Sequence, residues 1–208
     1  MGGQHKLTGK VAEKALRMLS DVTFTLSKHK INYCLEGGTL LGIVRENRLL
    51  PWDDDLDITI TEHQIPNLEN ALKSLPRKYR VRKRFYFTNH KAIKSGNLRL
   101  IRISNRKWYF LKGKVRMDIF VKYQDDNDYY WTVGSKKHYV IKSVPKDYYD
   151  NLTQYPFNGK SYSVPKNYKN YLTLRYSNWQ QQVKKWNCLS GNNIILSHKN
   201  KHHGAAIK

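Results

Sequence analysis

A single-domain α+β fold is what the sequence predicts, on three observations: helical periodicity near the start, β-prone runs through the middle, and no spacer that would divide the chain. At 208 residues the chain is long enough to bury a core of its own. Apolar residues make up 39% of it and aromatics 12%, above what disordered chains carry, although mean hydropathy is −0.74. No repeat at solenoid periods is present. The domain is drawn over residues 1–197, with 198–208 read as a flexible basic tail.

Val11, Ala15, Leu19, Val22 and Leu26 recur at intervals of three and four, which predicts a long amphipathic helix over about 8–29. Ile31-Asn-Tyr-Cys-Leu35 is short and β-prone and stops at Gly37 and Gly38, so it reads as a buried strand ending in a tight turn. Thr39 is placed as the N-cap of the helix that follows, with free amides facing an anion. Pro51 ends that segment, Leu56 to Ile60 reads as a second strand, and a helix over about 63–75 comes next. Runs at 79–82, 98–103, 108–111 and 115–121 suit a meander of adjacent strands. Beyond 125 short strands are expected, and Val164 to Tyr176 is read as closing the fold with a helix.

The formal charge of +22 favours anionic partners: nucleotides, phosphorylated glycans, nucleic acid or an anionic membrane surface. Richness in Lys, Asn, Ile and Tyr, which AT-rich codons favour, explains the same charge without any partner. No apolar run has the length of a signal peptide or a membrane span, so a cytoplasmic or intracellular setting is expected, the host cytoplasm if the source is viral. Cys34 and Cys188 do not form a disulfide framework. His198, His202 and His203 beside Cys188 lack accepted zinc spacings.

Against that basic background, Pro51-Trp-Asp-Asp-Asp-Leu-Asp57 is a local reversal of sign. In an extended chain Asp53, Asp55 and Asp57 share one face, with Asp54 and Leu56 on the other. Like charges so close push one another toward protonation unless a cation neutralises them. Oxygen-only ligation points to Mg²⁺ or Mn²⁺, and two such ions about 3.5–4 Å apart clamp a phosphoryl group for in-line displacement. Asp118 is a third contributor: Val115, Met117, Ile119 and Val121 alternate inward along their strand and leave Asp118 on the opposite face. A solvated acidic turn is the bland alternative for the run, and a structural ion pair the alternative for Asp118. Gly37, Gly38 and Thr39 would set a phosphate-holding turn beside the acids, and Arg45 is a candidate for a phosphate oxygen or for a surface salt bridge.

Tyr33-Cys-Leu-Glu-Gly-Gly-Thr-Leu-Leu-Gly-Ile-Val-Arg45, followed by Leu50-Pro-Trp-Asp-Asp-Asp-Leu-Asp-Ile58, resembles the signature of LicD/fukutin-type phosphotransferases. Met117-Asp-Ile-Phe120, the stretch from Phe157 to Pro165, and Tyr171-Leu-Thr-Leu-Arg-Tyr-Ser-Asn-Trp179 resemble its later motifs, with Ser177 where relatives commonly carry glycine. The resemblance implies a nucleotidyltransferase-like mixed β-sheet flanked by helices. It also implies transfer of a phosphorylated alcohol, such as phosphocholine or ribitol phosphate, from a CDP-activated donor to a glycan hydroxyl, with CMP leaving. By the same implication Asp55 and Asp57 are metal-binding and catalytic acids with Asp118 the third, Asp53 supports them, and Gly37, Gly38 and Thr39 face phosphate. Two other readings stand beside it. One is a nucleotidyltransferase acting on nucleic acid, with Trp108, Tyr109 or Tyr129 stacking on bases. The other is a non-catalytic relative that binds anionic glycans or lipid head groups.

Overall fold

A computed structural model describes residues 5–108, 111–135, 138–182 and 195–200. Helix α1 (Gly9–Lys28) buries Ala15, Leu19, Val22 and Leu26, the face that the periodicity marks, and packs against the later helix Ile65–Lys73 and the long strand Leu111–Asp125. Strand β1 (Cys34–Leu35) leads directly into α2 (Gly37–Glu46). The helix cap differs from the expected one. Glu36, not Thr39, is the N-cap, and its carboxylate accepts from the Gly37 amide at 3.2 Å. The paired glycines form the first turn of the helix because an acidic cap satisfies an amide that a preceding turn would leave open.

After α2 come β2 (Leu56–Thr61), a single 3₁₀ turn and α3 (Ile65–Lys73). The antiparallel meander is β3 (Tyr79–Phe85), β4 (Leu98–Lys107) and the long β5 (Leu111–Asp125). Trp108 does not start a strand as its β-propensity suggests: it sits at φ 53° in the turn between β4 and β5 with 73% of its surface exposed. Tyr109 and Phe110 lie outside the described residues.

Strand β5 organises the sheet. It pairs in parallel with β2, antiparallel with β4 and, at its far end, antiparallel with β6 (Asp128–Gly134). The sheet continues through β7 (His138–Pro145) to β10 (Ile195–Asn200), giving the order β1-β2-β5-β6-β7-β10 with β4 and β3 branching from β5. Residues 198–200, read from sequence as the start of a tail, thus pair with β7, and 201–208 lie outside the described residues, as do Cys188, His202 and His203. A sheet strand draws its stability from a distant partner's hydrogen bonds, which local composition does not reveal. A short helix α4 (Asp147–Asp150), the hairpin β8 (Leu152–Phe157) and β9 (Lys160–Pro165), and helix α5 (Tyr168–Tyr176) complete the described chain. Among the described residues no helix is long and apolar enough to cross a membrane.

Helix α5 ends at Ser177 with φ 56° and ψ −111°, a region that a Cβ atom disfavours and glycine occupies freely. Ser177→Gly is therefore expected to raise stability by about 0.5–1 kcal/mol, or a thermal midpoint gain of about 1–4 °C. Differential scanning calorimetry of the two proteins checks it.

Candidate functional site

The acids meet because of strand register. Asp57 on β2 is the direct neighbour of Asp118 on β5, and Asp118 is in turn the neighbour of Arg102 on β4. Three adjacent strands therefore present Arg102, Asp118 and Asp57 in a row on one face of the sheet. Asp53, Asp54 and Asp55 reach that face from the segment preceding β2. Asp54, assigned to the opposite side by strict alternation, joins the others because this segment is not a paired strand and the period of two does not bind it. Leu56 and Ile58 are fully buried.

All these carboxylates line one cavity of about 860 Å³, together with Gly37, Gly38, Arg45, Trp52 and Trp179. One carboxylate oxygen from each of Asp55, Asp57 and Asp118 lies within 4.8 Å of the others, and Asp53, Asp54 and Asp55 form a second such group. The two glycines permit this closeness. At Gly37, whose φ is +57°, an added Cβ would stand 2.6 Å from Asp57 Oδ2, and at Gly38 it would stand 1.9 Å from Asp53 Oδ2. Thr39 does not face the cavity: its buried hydroxyl accepts the Asp57 amide at 2.9 Å and pins the start of β2 to α2.

Crowding and burial oppose ionisation here. Burial, then the charges of Asp55 and Asp118, push the Asp57 carboxyl well above the usual carboxylate range. Asp53 is raised to about 7 by burial and by Asp55. Asp55 is raised by burial against the counter-pull of Arg116, which donates to its Oδ2 through Nε at 3.1 Å and through Nη2. Arg102 grips Asp118 bidentately, at 2.8 and 2.5 Å. Each ionised oxygen has two lone pairs, so these arginines leave acceptor capacity on Asp55 and Asp118. An all-oxygen donor set that is buried and repels itself fits a hard divalent cation such as Mg²⁺ or Mn²⁺.

The other end of the cavity is basic. Glu36, fully buried, accepts from Tyr171 at 2.6 Å, Tyr149 at 2.7 Å and Thr59 at 3.1 Å, and lies 3.7 Å from Lys122 and 3.5 Å from Arg175. Burial alone would raise its pKa, but the two cations and the two phenols hold it down to about 2. Lys122 is pushed down to about 7 by burial, which outweighs the attraction of Glu36, with Arg175 adding its repulsion.

Of the residues singled out from sequence, Asp53, Asp55, Asp57, Asp118, Gly37, Gly38 and Arg45 line one cavity, while Thr39 stands behind it. Arg45 is engaged with Glu46 at 2.7 Å and with the Trp179 carbonyl at 3.2 Å, and lies over the Trp52 ring. Sequence reasoning missed Glu36, Arg102, Arg116, Lys122 and Arg175. A signal existed for Lys122: continuing the alternation that exposed Asp118 places Arg116, Phe120 and Lys122 on the same face of β5, and all of them line the cavity. Of the aromatics considered for base stacking, Tyr129 is buried in the core.

Residues 30–167 match the family model described as LicD/FKTN/FKRP, nucleotidyltransferase domain. Among curated proteins, the uncharacterized protein RP689 of Rickettsia prowazekii is 27% identical over 129 residues, covering 62% of this chain and 41% of that one. The lipopolysaccharide cholinephosphotransferase LicD of Haemophilus influenzae is 52% identical over 31 residues, 15% of this chain and 12% of that one. The human ribitol 5-phosphate transferase FKRP is 25% identical over 153 residues, covering 70% of this chain and 28% of that protein. The chain thus spans less than half the length of these relatives. Among solved structures, ANT(2″)-Ia in complex with adenylyl-2″-tobramycin superposes with a TM-score of 0.42 and 11% identity over 76% of each chain. The family match runs from the residues before β1 through β9 and so includes every acid of the cavity, and on it the chain belongs to the LicD/FKTN/FKRP family and carries its nucleotidyltransferase domain.

Proposed function

We propose that this domain is a metal-dependent transferase that moves a phosphorylated alcohol, phosphocholine-like or ribitol-phosphate-like, from a CDP-activated donor to a glycan hydroxyl and releases CMP. The observation that carries the reading is the convergence of Asp55, Asp57 and Asp118 within 4.8 Å, beside the first turn of α2, in a cavity large enough for a nucleotide-sized ligand. Asp55, Asp57 and Asp118 are the residues that would hold Mg²⁺ or Mn²⁺, with Asp53 in support. The ion, when bound, supplies charge neutralisation for a diphosphate.

The chain's own groups account for the rest. The hydroxyl oxygen of the acceptor attacks the phosphorus that bears the alcohol and forms the new O–P bond. The P–O bond to CMP breaks, its electron pair leaves with CMP, and a carboxylate of the cluster receives the hydroxyl proton. The first turn of α2 lines the cavity at Gly37 and Gly38, and although Glu36 takes the Gly37 amide, the helix dipole there would favour the developing negative charge. Arg102 and Arg116 hold Asp118 and Asp55 in place, so positioning precedes chemistry. Trp52 and Trp179 border the cavity.

The test is a donor panel. The protein is incubated with Mg²⁺ or Mn²⁺ and CDP-choline, CDP-ribitol, CDP-glycerol or nucleotide sugars, and CMP is quantified by chromatography with a glycan acceptor present. CMP release from at least one CDP-alcohol, abolished by EDTA, is the expected result. Release undiminished by EDTA, or turnover of nucleotide sugars alone, overturns the reading.

A further inference from the structure

Along one face of β5 the cavity wall changes sign, from Asp118 through Phe120 to Lys122, over a backbone distance of about 13 Å. At the Lys122 end two cations from different elements converge on one indole. The Lys122 ammonium stands 3.3 Å from the centre of the Trp131 ring, and the Arg175 guanidinium stands 5.3 Å from it. Both share the carboxylate of Glu36, at 3.7 and 3.5 Å, distances too long for good hydrogen bonds. Glu36 is meanwhile committed to two phenols, a threonine hydroxyl and an amide.

Arg175 is thereby left underused. Its side chain is 8% exposed, yet Nε and Nη1 are buried with no hydrogen-bond partner. Orphaned buried donors are costly to fold, and in a cavity wall they mark where an acceptor belongs. Lys142 of β7 lines the same end.

We propose that Arg175 and Lys122, with Lys142 beside them, form an anion subsite that seats a phosphate group of a substrate. Nε and Nη1 donate along different edges of the guanidinium, and Lys122 approaches from another element. A tetrahedral group with several acceptor oxygens satisfies them together, whereas a planar carboxylate is suited to a single fork. The subsite rests on the proposed function for the source of the phosphate, either the donor diphosphate or a phosphorylated acceptor. It does not rest on that reading for binding itself.

Isothermal titration calorimetry in EDTA, with inorganic pyrophosphate and separately CMP as titrants, tests the subsite apart from catalysis. Binding to the wild-type protein without divalent ions is expected, weakened about tenfold or more in Arg175→Lys and in Lys122→Met and retained in Asp57→Asn. Arg175→Lys keeps the charge but removes the planar donor set, and circular dichroism establishes that each variant is folded. If either variant is unfolded, the wild-type titration decides alone: absence of metal-free binding at millimolar titrant overturns the subsite. Full affinity in both folded variants overturns it too, even where CMP release with metal proceeds normally. Metal-free binding lost in the two variants, in a protein that turns over no CDP-alcohol, upholds the subsite and removes the donor reading instead. Competition names the source. Pyrophosphate that raises the donor KM places the donor phosphate at Arg175, and pyrophosphate that raises the acceptor KM places an acceptor phosphate there.

Discussion

Asp57→Asn is expected to lower CMP release by about a thousandfold or more while leaving the fold intact, since an acid that anchors a divalent ion contributes several kcal/mol to the transition state. Stability should move the other way. Asp57 is buried among Asp55, Asp118, Asp53 and Glu36, and its folded pKa is raised. An acid with a raised folded pKa resists ionisation in the folded state more than in the unfolded one. Its penalty therefore grows as pH rises from the ordinary value of 3.8 through the folded value. Asparagine cannot ionise, so in EDTA the variant should melt above wild type at neutral pH, with the difference vanishing below 3.8. Asp53, raised to about 7, adds a penalty of the same sign over the window from 3.8 to about 7. Added Mn²⁺ should raise the wild-type midpoint at neutral pH and barely move that of the variant. Scanning fluorimetry across pH, with and without Mn²⁺, reads all of this. An Asp57→Asn protein with full turnover would end the assignment of the acids.

Glu36→Gln carries the largest expected loss of stability. The carboxylate is the shared counter-charge of Lys122 and Arg175 and the acceptor of two tyrosines, all in the interior. Removing one partner of a buried ionic network costs about 3–5 kcal/mol, because the remaining charges stay desolvated without compensation. For a domain of this size that corresponds to a midpoint lower by about 6–20 °C. The amide keeps part of the hydrogen bonding, which separates the charge from the shape: Glu36→Gln should retain near-wild-type circular dichroism at low temperature and lose midpoint only. Glu36 in the wild type supplies a linkage of opposite sign to that of Asp57. Its folded pKa of about 2 lies below the ordinary 4.5, so its contribution is complete above 4.5 and is lost as pH falls toward 2. Acid unfolding of wild type in that window should be steeper than that of Glu36→Gln. A variant as stable as wild type at neutral pH would show that the network contributes nothing net.

These two carboxylates illustrate how unevenly the site could be read beforehand. Asp57 stood out because four aspartates crowd into a chain with 38 basic residues, a contrast visible by counting. Glu36 carries no such signal, although it lies in the same motif, because a single acid after Tyr33-Cys-Leu has no local oddity. Its importance comes from Tyr149, Tyr171 and Arg175, which approach it from the far end of the chain. The misplaced cap has the same origin: Thr39 is a good N-cap by type, but its hydroxyl accepts the Asp57 amide of β2, and Glu36, three residues earlier, caps the helix instead.

Local pattern alone determined much of this molecule: the apolar stripe of α1, the alternation of β2 and β5, the acidic run, and the side of β5 on which Asp118 lies. Those features follow from periods of 3.6 and 2, which neighbouring residues carry among themselves. Tertiary structure decided the rest. Parallel pairing of β2 with β5 set Asp57 beside Asp118, β4 brought Arg102 to the same row, and α5 carried Arg175 against Trp131. Register and long-range contact depend on how whole faces pack and which partners satisfy buried charge, and no short window of sequence contains both sides of such a contact.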